Sequence, residues 1–513
     1  MPEKIFEKLK KNVPLPWKVC FLSALILGLV AHAYKLTNWL PNWDSLVFRY
    51  DPQNMIAIGR WFLPVVCTPS SFYDLPWLTG LLSLVLHGLG AVCICRMFRV
   101  QKSTTAALVG AAVITFPTVT SVLMYNYVAD GYACAFLLSC MAAMFLVEEK
   151  PKHIAAVLCI TLSAGIYQAY VTVTVMLLLC HLILDAMNQD TKAGRLITKS
   201  LRFLAVGVIG MVLYYAVLMI LLKVTDTALL DYQGVSTALS VSGMNILAAL
   251  YTVKCSFTEY FFDFSNGVTV FGAINVLIFA VTVALYLADV IRQRTSPVKL
   301  VLIAVYAVLL PIGASVLAFI NSGVDYHNLM KMGFLVFYLF LILQYEKSDF
   351  KIPKFNAAKA WAILGIVALY VFNNVIIANV SYHKLNMAYE KSYGTLVRIA
   401  DRIEQTEGSD ECDRILVLGA LENSEAYSAN IPPDMTGTTD GFILRADDEI
   451  VGQSVLCSAL NDYCGTNYQF ISGEEKKALL ERIQEESLGI WPDADSVVVV
   501  DHVIIIRLGN EVP

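Results

Sequence analysis

The chain has 513 residues, of which 57% are hydrophobic and 15% are charged, with a formal net charge of −5 at pH 7. A soluble globular domain has about 25% charged residues, so this composition excludes an ordinary soluble protein. Residues 379–513 carry 10 Lys and Arg against 24 Asp and Glu, whereas residues 1–378 carry 27 against 18. A basic membrane part is therefore followed by an acidic tail, and neither has the basic face typical of nucleic-acid binding.

Apolar runs of about 18 residues or more recur up to residue 378, and each is long enough to cross the bilayer as a helix. The stretch 154–184 is either one long helix or two short spans that turn near residues 165–170. Two spans keep the basic residues at 192–202 on the cytoplasmic side. We therefore predict about eleven spans with the N-terminus in the cytoplasm, the C-terminus outside, a first outer loop at 36–76 and a longer one at 223–268.

The first outer loop holds two carboxylates, Asp44 and Asp51, in a segment rich in interfacial tryptophan. Charges held so close to lipid are costly unless they have partners or a function. Either carboxylate could take a proton from an attacking hydroxyl. Pro52 follows Asp51, and this dipeptide often only starts a turn, so the identity of the base stays open.

The same loop supplies cations and aromatic rings. Arg49 and Arg60 could hold a phosphate group through paired hydrogen bonds. Trp43 and Trp61 are candidates for sugar or acceptor binding, since such rings lie at the membrane interface. The alternative interpretation is a salt-bridge cluster that only fixes the loop.

Three further polar positions lie at outer ends of predicted spans. Asp130 is an acid within the membrane, which favours a function, although it could simply pair with an arginine. Tyr167 and Gln168 could bind sugar hydroxyls or make hydrogen bonds between helices. His327 and Lys331 begin the tenth span and suit a phosphate site, although a lysine there could also reach to the interface without binding anything.

The tail, residues 379–513, is predicted to be a separate α/β domain outside the cytoplasm. The pattern predicts a helix over 389–405, a buried strand at 414–419, a helix from a capping box at 472–475 to residue 484, and a hairpin over 496–508. Cys457 and Cys464 could form a disulfide in that compartment.

Four features of the chain, in their order and spacing, resemble the bacterial membrane glucosyltransferase family II of O-antigen glucosylation, within the GT-C superfamily. They are Asp44, the Gly59-Arg60-Trp61 sequence, the Tyr167-Gln168 pair and the start of the tail near 381–402. The resemblance implies a GT-C-like fold for residues 1–378 and an inverting transfer from a polyprenyl-phosphate sugar on the extracytoplasmic face. It also implies that Asp44 occupies the position of the catalytic acid.

Two positions depart from the family's pattern. Ser45 follows Asp44 where a paired acid is common, and Lys331 stands where arginine is frequent. The first departure leaves the base open between Asp44 and Asp51, with Asp130 as a further acid, and the second weakens the phosphate assignment.

The expected protein is a glycosyltransferase of the bacterial cytoplasmic membrane. It moves a sugar, for which glucose is the leading candidate, from a polyprenyl-phosphate donor to a cell-surface glycan, with Asp44 as general base. Expected partners are the donor, the acceptor and the bilayer, together with a flippase and a polyprenyl-phosphate sugar synthase. No cofactor is required; the superfamily allows a divalent metal, but no ligand cluster in the sequence demands one.

Two alternatives belong to other classes. A transporter or flippase of lipid-linked sugars would carry charges through the middle of its spans, whereas here the charges gather at the outer rim. A non-catalytic polysaccharide-assembly partner would tolerate the loss of Asp44.

Overall fold

The computed structural model describes residues 3, 13–41, 44–45, 55–230, 245–262, 270–293, 295–320, 326–347, 355–421, 449–482 and 488–509. Three residues of the predicted site, Trp43, Arg49 and Asp51, lie outside this part of the chain. The described part consists mainly of helices, and a small sheet follows the last long helix.

The helices of the membrane part are α1 (Leu15–Thr37), α2 (Leu63–Cys67), α3 (Pro76–Met97), α4 (Ser103–Ile114), α5 (Pro117–Met124), α6 (Ala129–Val147), α7 (His153–Ile166), α8 (Val171–Met187), α9 (Ala193–Val224), α10 (Ile246–Phe262), α11 (Val270–Arg292), α12 (Pro297–Ala314), α13 (Leu335–Glu346) and α14 (Phe355–Glu404). Short 3-10 turns at Asn126–Val128, Gln168–Tyr170 and Asn328–Phe334 precede α6, α8 and α13. The helix α10 lies within the stretch predicted as the long outer loop.

Nine helical segments of the described chain are long and apolar enough to cross a membrane, and the bent pair α4–α5 would be a tenth. The prediction of a polytopic α-helical membrane protein is confirmed. The shorter apolar helix α7 has 14 residues and is not among these segments, so the described chain gives nine or ten of them where about eleven spans were predicted. The predicted turn near 165–170 is present, because α7 ends at Ile166 and α8 begins at Val171.

The bend between α4 and α5 has a local cause. Pro117 begins α5, and the residue before a proline is driven out of helical geometry by contact with the proline ring. Phe116 is accordingly extended, with φ −60° and ψ 135°. The two helices meet at 41°.

The bundle core is built from close contacts between small residues and from buried aromatic rings. Gly110 of α4 lies directly against α1, where a Cβ atom would stand 2.2 Å from the Cys20 carbonyl oxygen. Close backbone approach of this kind is typical of helices packed in membranes. At one end of the bundle, α1 and α7 end and α6 and α8 begin. We call this end the loop end.

The helix α14 is continuous over 50 residues and belongs to both predicted domains. Its first half packs in the bundle through Ile363 and Val367, which are both at most 2% exposed. Its last turns, including Leu396 and Ile399, form the core of the C-terminal region. The helix therefore passes without interruption through the predicted boundary at residues 378 and 379.

The C-terminal region contains β1 (Arg414–Leu418), α15 (Glu449–Cys464), β2 (Gln469–Phe470), α16 (Gly473–Leu480), β3 (Val497–Val500) and β4 (Val503–Arg507). The strands have the order β2-β1-β4-β3; β1 is parallel to β2 and β4, and β3 and β4 form an antiparallel hairpin. The predicted strand, the helix up to residue 404 and the hairpin are confirmed. Asp501 and His502 close the hairpin with φ values of 50° and 59°, as a two-residue turn with positive φ requires.

One prediction for the tail is wrong, and the possible disulfide, which the sequence left open, is absent. Ser472 precedes α16 but makes no capping hydrogen bond, and the helix ends at Leu480 rather than residue 484. Gly473, the first residue of α16, has a φ of 64°, which is not a helical value. Cys457 and Cys464 are free thiols. They lie seven residues apart on α15, which corresponds to a rise of about 10 Å, too far for a disulfide.

The C-terminal region touches the loop end of the bundle. Trp39, just after α1, has its ring centroid 5.7 Å from that of Tyr463 in α15. Tyr463 also contacts Tyr389 and Tyr393 of α14 at 6.5 and 5.9 Å. The segment that leads from α1 to Asp44 is therefore in contact with this region.

Candidate functional site

Arg60 lies in an aromatic cage at the loop end of the bundle. Its side chain is buried, its Nη1 donates a hydrogen bond of 3.1 Å to the Tyr132 hydroxyl, and its Cζ lies 4.6 Å from the centroid of the Tyr167 ring. Tyr132 and Tyr167 stack on each other at 4.9 Å. A planar guanidinium suits such a site, since it can stack on a ring and still present hydrogen-bond donors.

The backbone that carries Arg60 is fixed by two polar side chains. Gly59 has φ 80°, and the Tyr214 hydroxyl donates to its carbonyl oxygen at 3.0 Å. Gln168 Nε2 donates to the Tyr214 hydroxyl at 2.9 Å and to the Ile58 carbonyl oxygen at 3.3 Å. A Cβ atom on residue 59 would stand 2.6 Å from the tyrosine oxygen. Gln168 therefore connects the 3-10 turn in which it lies with the loop that carries Ile58 and with Tyr214 of α9.

Asp44 is 7% exposed. Its carboxylate and the Arg60 guanidinium both lie close enough to Tyr127 to act on that hydroxyl electrostatically. Tyr127, in the 3-10 turn before α6, is itself buried. A buried carboxylate, Asp44, and a buried cation, Arg60, thus lie within electrostatic range of the same tyrosine at the loop end.

Trp61 packs beneath this loop. A Cβ atom on Gly165 would lie 2.8 Å from the indole ring, and the ring stacks with Tyr214 at 6.5 Å. The backbone N–H of Phe62 donates to the Gly165 carbonyl oxygen at 2.7 Å. Among the residues that the structure describes, the indole Nε1 is buried and has no acceptor.

Asp130 lies on a different side of α6 from Tyr132. The two residues are about 200° apart around the helix axis. Asp130 Oδ1 accepts a hydrogen bond from the Gly131 N–H at 3.0 Å and from the Cys67 thiol at 3.6 Å. Burial and then the neighbouring carboxylate raise the pKa of the Cys67 thiol, which keeps it protonated as a donor. These contacts join Asp130 to the end of α2.

Lys331 lies in the 3-10 turn Asn328–Phe334, and His327 directly precedes this turn. Thr118 of α5 donates to the Asn328 carbonyl oxygen at 2.8 Å. The turn packs against the Gln168–Tyr170 turn and α8. The element that carries Lys331 is therefore adjacent to the one that carries Gln168.

A second buried polar cluster lies beside Tyr127. Lys35 is fully buried, its Nζ donates to the Leu40 carbonyl oxygen at 2.5 Å, and it lies within electrostatic reach of Asp74. Asn126 donates to Asp74 Oδ1 at 2.9 Å. Because Asn126 and Tyr127 share one turn, this cluster fixes the tyrosine that faces Asp44.

The sequence interpretation did not single out Tyr127, Tyr132, Tyr214 or the Lys35 cluster. A tyrosine in an apolar span is ordinarily a core residue, and only its place near the end of a span could have marked it. Within the described chain, no group of three or more His, Cys, Asp and Glu side chains is arranged to hold a metal ion.

Comparison with known proteins identifies a family. The family model Glucosyl transferase GtrII matches residues 33–344, whereas no curated protein and no solved structure matches the chain. The matched range exceeds half of the chain and includes Asp44, Arg60, Asp130 and the 328–334 turn. The helix α14 and the sheet lie beyond it. The chain therefore belongs to the glucosyl transferase GtrII family.

Proposed function

We propose that the protein is a membrane glycosyltransferase that moves glucose from a polyprenyl-phosphate donor to a cell-surface glycan, with inversion at the sugar. The observation that carries this proposal is that the first loop holds a buried carboxylate, Asp44, and a buried, preformed cation site, Arg60, both within electrostatic range of Tyr127. Both residues lie within the range matched by the glucosyltransferase family.

In this reaction the acceptor hydroxyl attacks the anomeric carbon while Asp44 takes its proton. The bond from the anomeric carbon to the phosphate oxygen breaks, and the electron pair leaves with the polyprenyl phosphate. Arg60 compensates the negative charge that grows on this phosphate. Because Tyr132 and Tyr167 hold the guanidinium in place beforehand, little reorganisation is needed as that charge develops.

Lys331 and His327 would contribute to the same phosphate site, since their turn lies beside Gln168. Trp61 remains a proposed sugar- or acceptor-binding residue on sequence grounds. Asp51 and Arg49 remain proposed members of the site on sequence grounds. Asp130 would assist indirectly, through the end of α2.

The lipid chain of the donor would lie in an apolar cavity of about 330 Å³ between α8 and α10–α13. Phe257, Phe261, Leu310 and Phe337 are among its lining residues. Phe261 also contacts Phe334, at 6.3 Å between ring centroids, in the turn that carries Lys331. The cavity therefore has a lining residue in contact with the turn that carries Lys331, which suits a donor whose phosphate carries a long apolar chain.

The proposed orientation rests on the distribution of basic residues. Lys150, Lys152 and Arg195 lie at the end of the bundle opposite to Arg60, because α7 and α8 connect these two ends. Basic segments favour the cytoplasmic side. This places the N-terminus in the cytoplasm of a bacterial cell, and the site and the C-terminal region outside its cytoplasmic membrane, where a flippase and a polyprenyl-phosphate sugar synthase would supply the donor.

The test is sugar transfer by the purified protein in lipid, with polyprenyl-phosphate glucose and a panel of lipid-linked glycans. We expect Asp44→Asn to reduce the release of polyprenyl phosphate by about 10²-fold or more, as loss of a general base does. The matched control is Asp226→Asn, an exposed acid just after α9 at the same end, which should keep full activity. Full activity of Asp44→Asn would refute its role, and folded wild type without turnover on any donor would refute the function.

A further inference from the structure

A second pocket, of about 470 Å³, lies at the end of the bundle opposite to Arg60, where α3 ends and α6 leads into α7. Four basic and two acidic side chains surround it: Arg96, Arg99, Lys150, Lys152, Glu148 and Glu149. Its lining also includes Met97 and Met144, which are both 5% exposed. The pocket is therefore positive at its rim and apolar beneath.

The ion pairs at the rim leave an excess of positive charge. Glu148 is shared between Arg96 and Lys152, the latter at 3.1 Å, and Arg99 pairs with Glu149 at 3.0 Å. The side chains of Arg99 and Glu149 are 72% and 83% exposed. Since exposed pairs of this kind contribute little free energy, Arg99 can exchange its partner for another anion at low cost.

The backbone of Arg99 has a conformation that normally belongs to glycine. Arg99 follows the end of α3 with φ 54°, its N–H donates to the Arg96 carbonyl oxygen, and the Val100 N–H donates to that of Cys95. This is the Schellman arrangement, in which the left-handed residue is usually glycine. A non-glycine residue in this conformation is uncommon, and such backbone positions cluster at functional sites.

The pocket lies at the depth of lipid headgroups. The Arg96 guanidinium lies 5.8 Å from the centroid of the Trp17 ring near the start of α1, and tryptophan favours the membrane–water interface. Basic pockets between helices at this depth suit the phosphates of anionic lipids, and the apolar floor suits their glycerol and upper acyl carbons.

We propose that this pocket binds the headgroup of an anionic phospholipid, whose phosphate is held by Arg99 and Lys150 while the glycerol lies over Met97 and Met144. Charge complementarity supports this occupant, since four cations face two carboxylates. The proposal is independent of the glycosyltransferase function.

The test is binding of cardiolipin and of phosphatidylglycerol to the full-length protein in phosphatidylcholine nanodiscs, measured by native mass spectrometry and by the lipid-dependent rise of the melting temperature. We expect Arg99→Gly and Lys150→Gln each to weaken anionic-lipid binding by about fivefold. Arg99→Gly should not melt below the wild type without anionic lipid, because glycine relieves the left-handed backbone. A loss of binding by this variant therefore cannot come from misfolding.

The matched controls are Lys192→Gln and Arg195→Gln, which remove exposed charges from the same end of the bundle outside the pocket. They should bind anionic lipid as the wild type does. Wild-type binding by Arg99→Gly and Lys150→Gln, or an equal loss in the controls, would refute the pocket. Equal protection of detergent-solubilised protein by inorganic phosphate would also refute it, because the site would then recognise a free anion.

Discussion

The replacement Arg60→Lys tests whether the aromatic cage contributes to transfer from the donor. It keeps the positive charge and removes the planar guanidinium that the cage holds. Two contacts are at stake. The hydrogen bond from Arg60 to Tyr132 at 3.1 Å is of the charged class that contributes about 1.5–3 kcal/mol. The stacking on Tyr167 at 4.6 Å contributes about 0.5–2 kcal/mol. The sum of about 2–5 kcal/mol is an upper bound, since an ammonium retains part of the attraction to the ring.

The expected loss of kcat/KM for the donor is about 10²-fold, which corresponds to about 2.7 kcal/mol. The assay is a donor titration at saturating acceptor. Tyr132→Phe should lose less, and the double variant should be no worse than Arg60→Lys alone, because both changes remove one interaction. Arg195→Lys, an exposed arginine at the opposite end, is the control and should show wild-type values.

Two results would refute this reasoning. Arg60→Lys could retain kcat/KM within about twofold, which would mean that a point charge is sufficient. Alternatively, the losses of Arg60→Lys and Tyr132→Phe could add fully in the double variant, which would mean that the two side chains act independently.

Three other outcomes are expected. Gly59→Ala should reduce transfer at least about tenfold, since a left-handed alanine costs about 1–2 kcal/mol and its Cβ would lie 2.6 Å from Tyr214 Oη; wild-type transfer would contradict this. Asp130→Asn should lower the melting temperature and leave kcat close to the wild-type value. A loss of about 10²-fold in kcat with an unchanged melting temperature would instead assign Asp130 to the chemistry. Burial raises the pKa of Cys457 to about 11, so only about one thiol in a thousand is ionised at pH 8. Its alkylation, followed by mass spectrometry, should therefore still accelerate about tenfold per pH unit from pH 8 to 10, and a rate that levels off above pH 9 would contradict the shift.

The bundle could be predicted from the sequence because each crossing needs a long apolar run, and such runs are visible one at a time. The turn at 165–170 was predictable because polar residues interrupt an apolar stretch there, next to basic residues that fix the topology. The helix α10 was not predicted, because it lies in the stretch taken for an outer loop, where charged residues break the apolar pattern.

The site was predictable only in part. Arg60 and Asp44 stand out as charges beside a membrane span, but their environment depends on contacts between distant segments. Arg60 and Tyr132 are 72 residues apart, and Gly59 and Tyr214 are 155 residues apart. One sequence contains no sign of such pairings. The sequence left the disulfide open for a related reason, since spacing alone did not show that Cys457 and Cys464 share a helix.

The unbroken course of α14 has a geometric consequence for the C-terminal region. A helix of 50 residues is about 75 Å long, whereas about 20 residues cross the bilayer. With no hinge between the bundle and the sheet, the helix fixes both the height and the azimuth of that region above the membrane. One inserted residue in the segment between Val367 and Tyr389 would turn the region by about 100° and separate Tyr463 from Trp39. Seven inserted residues, about two turns, would nearly restore the azimuth at a height about 10 Å greater. Rotational phase along this helix, more than its length, therefore decides which face of the acidic region lies over the first loop.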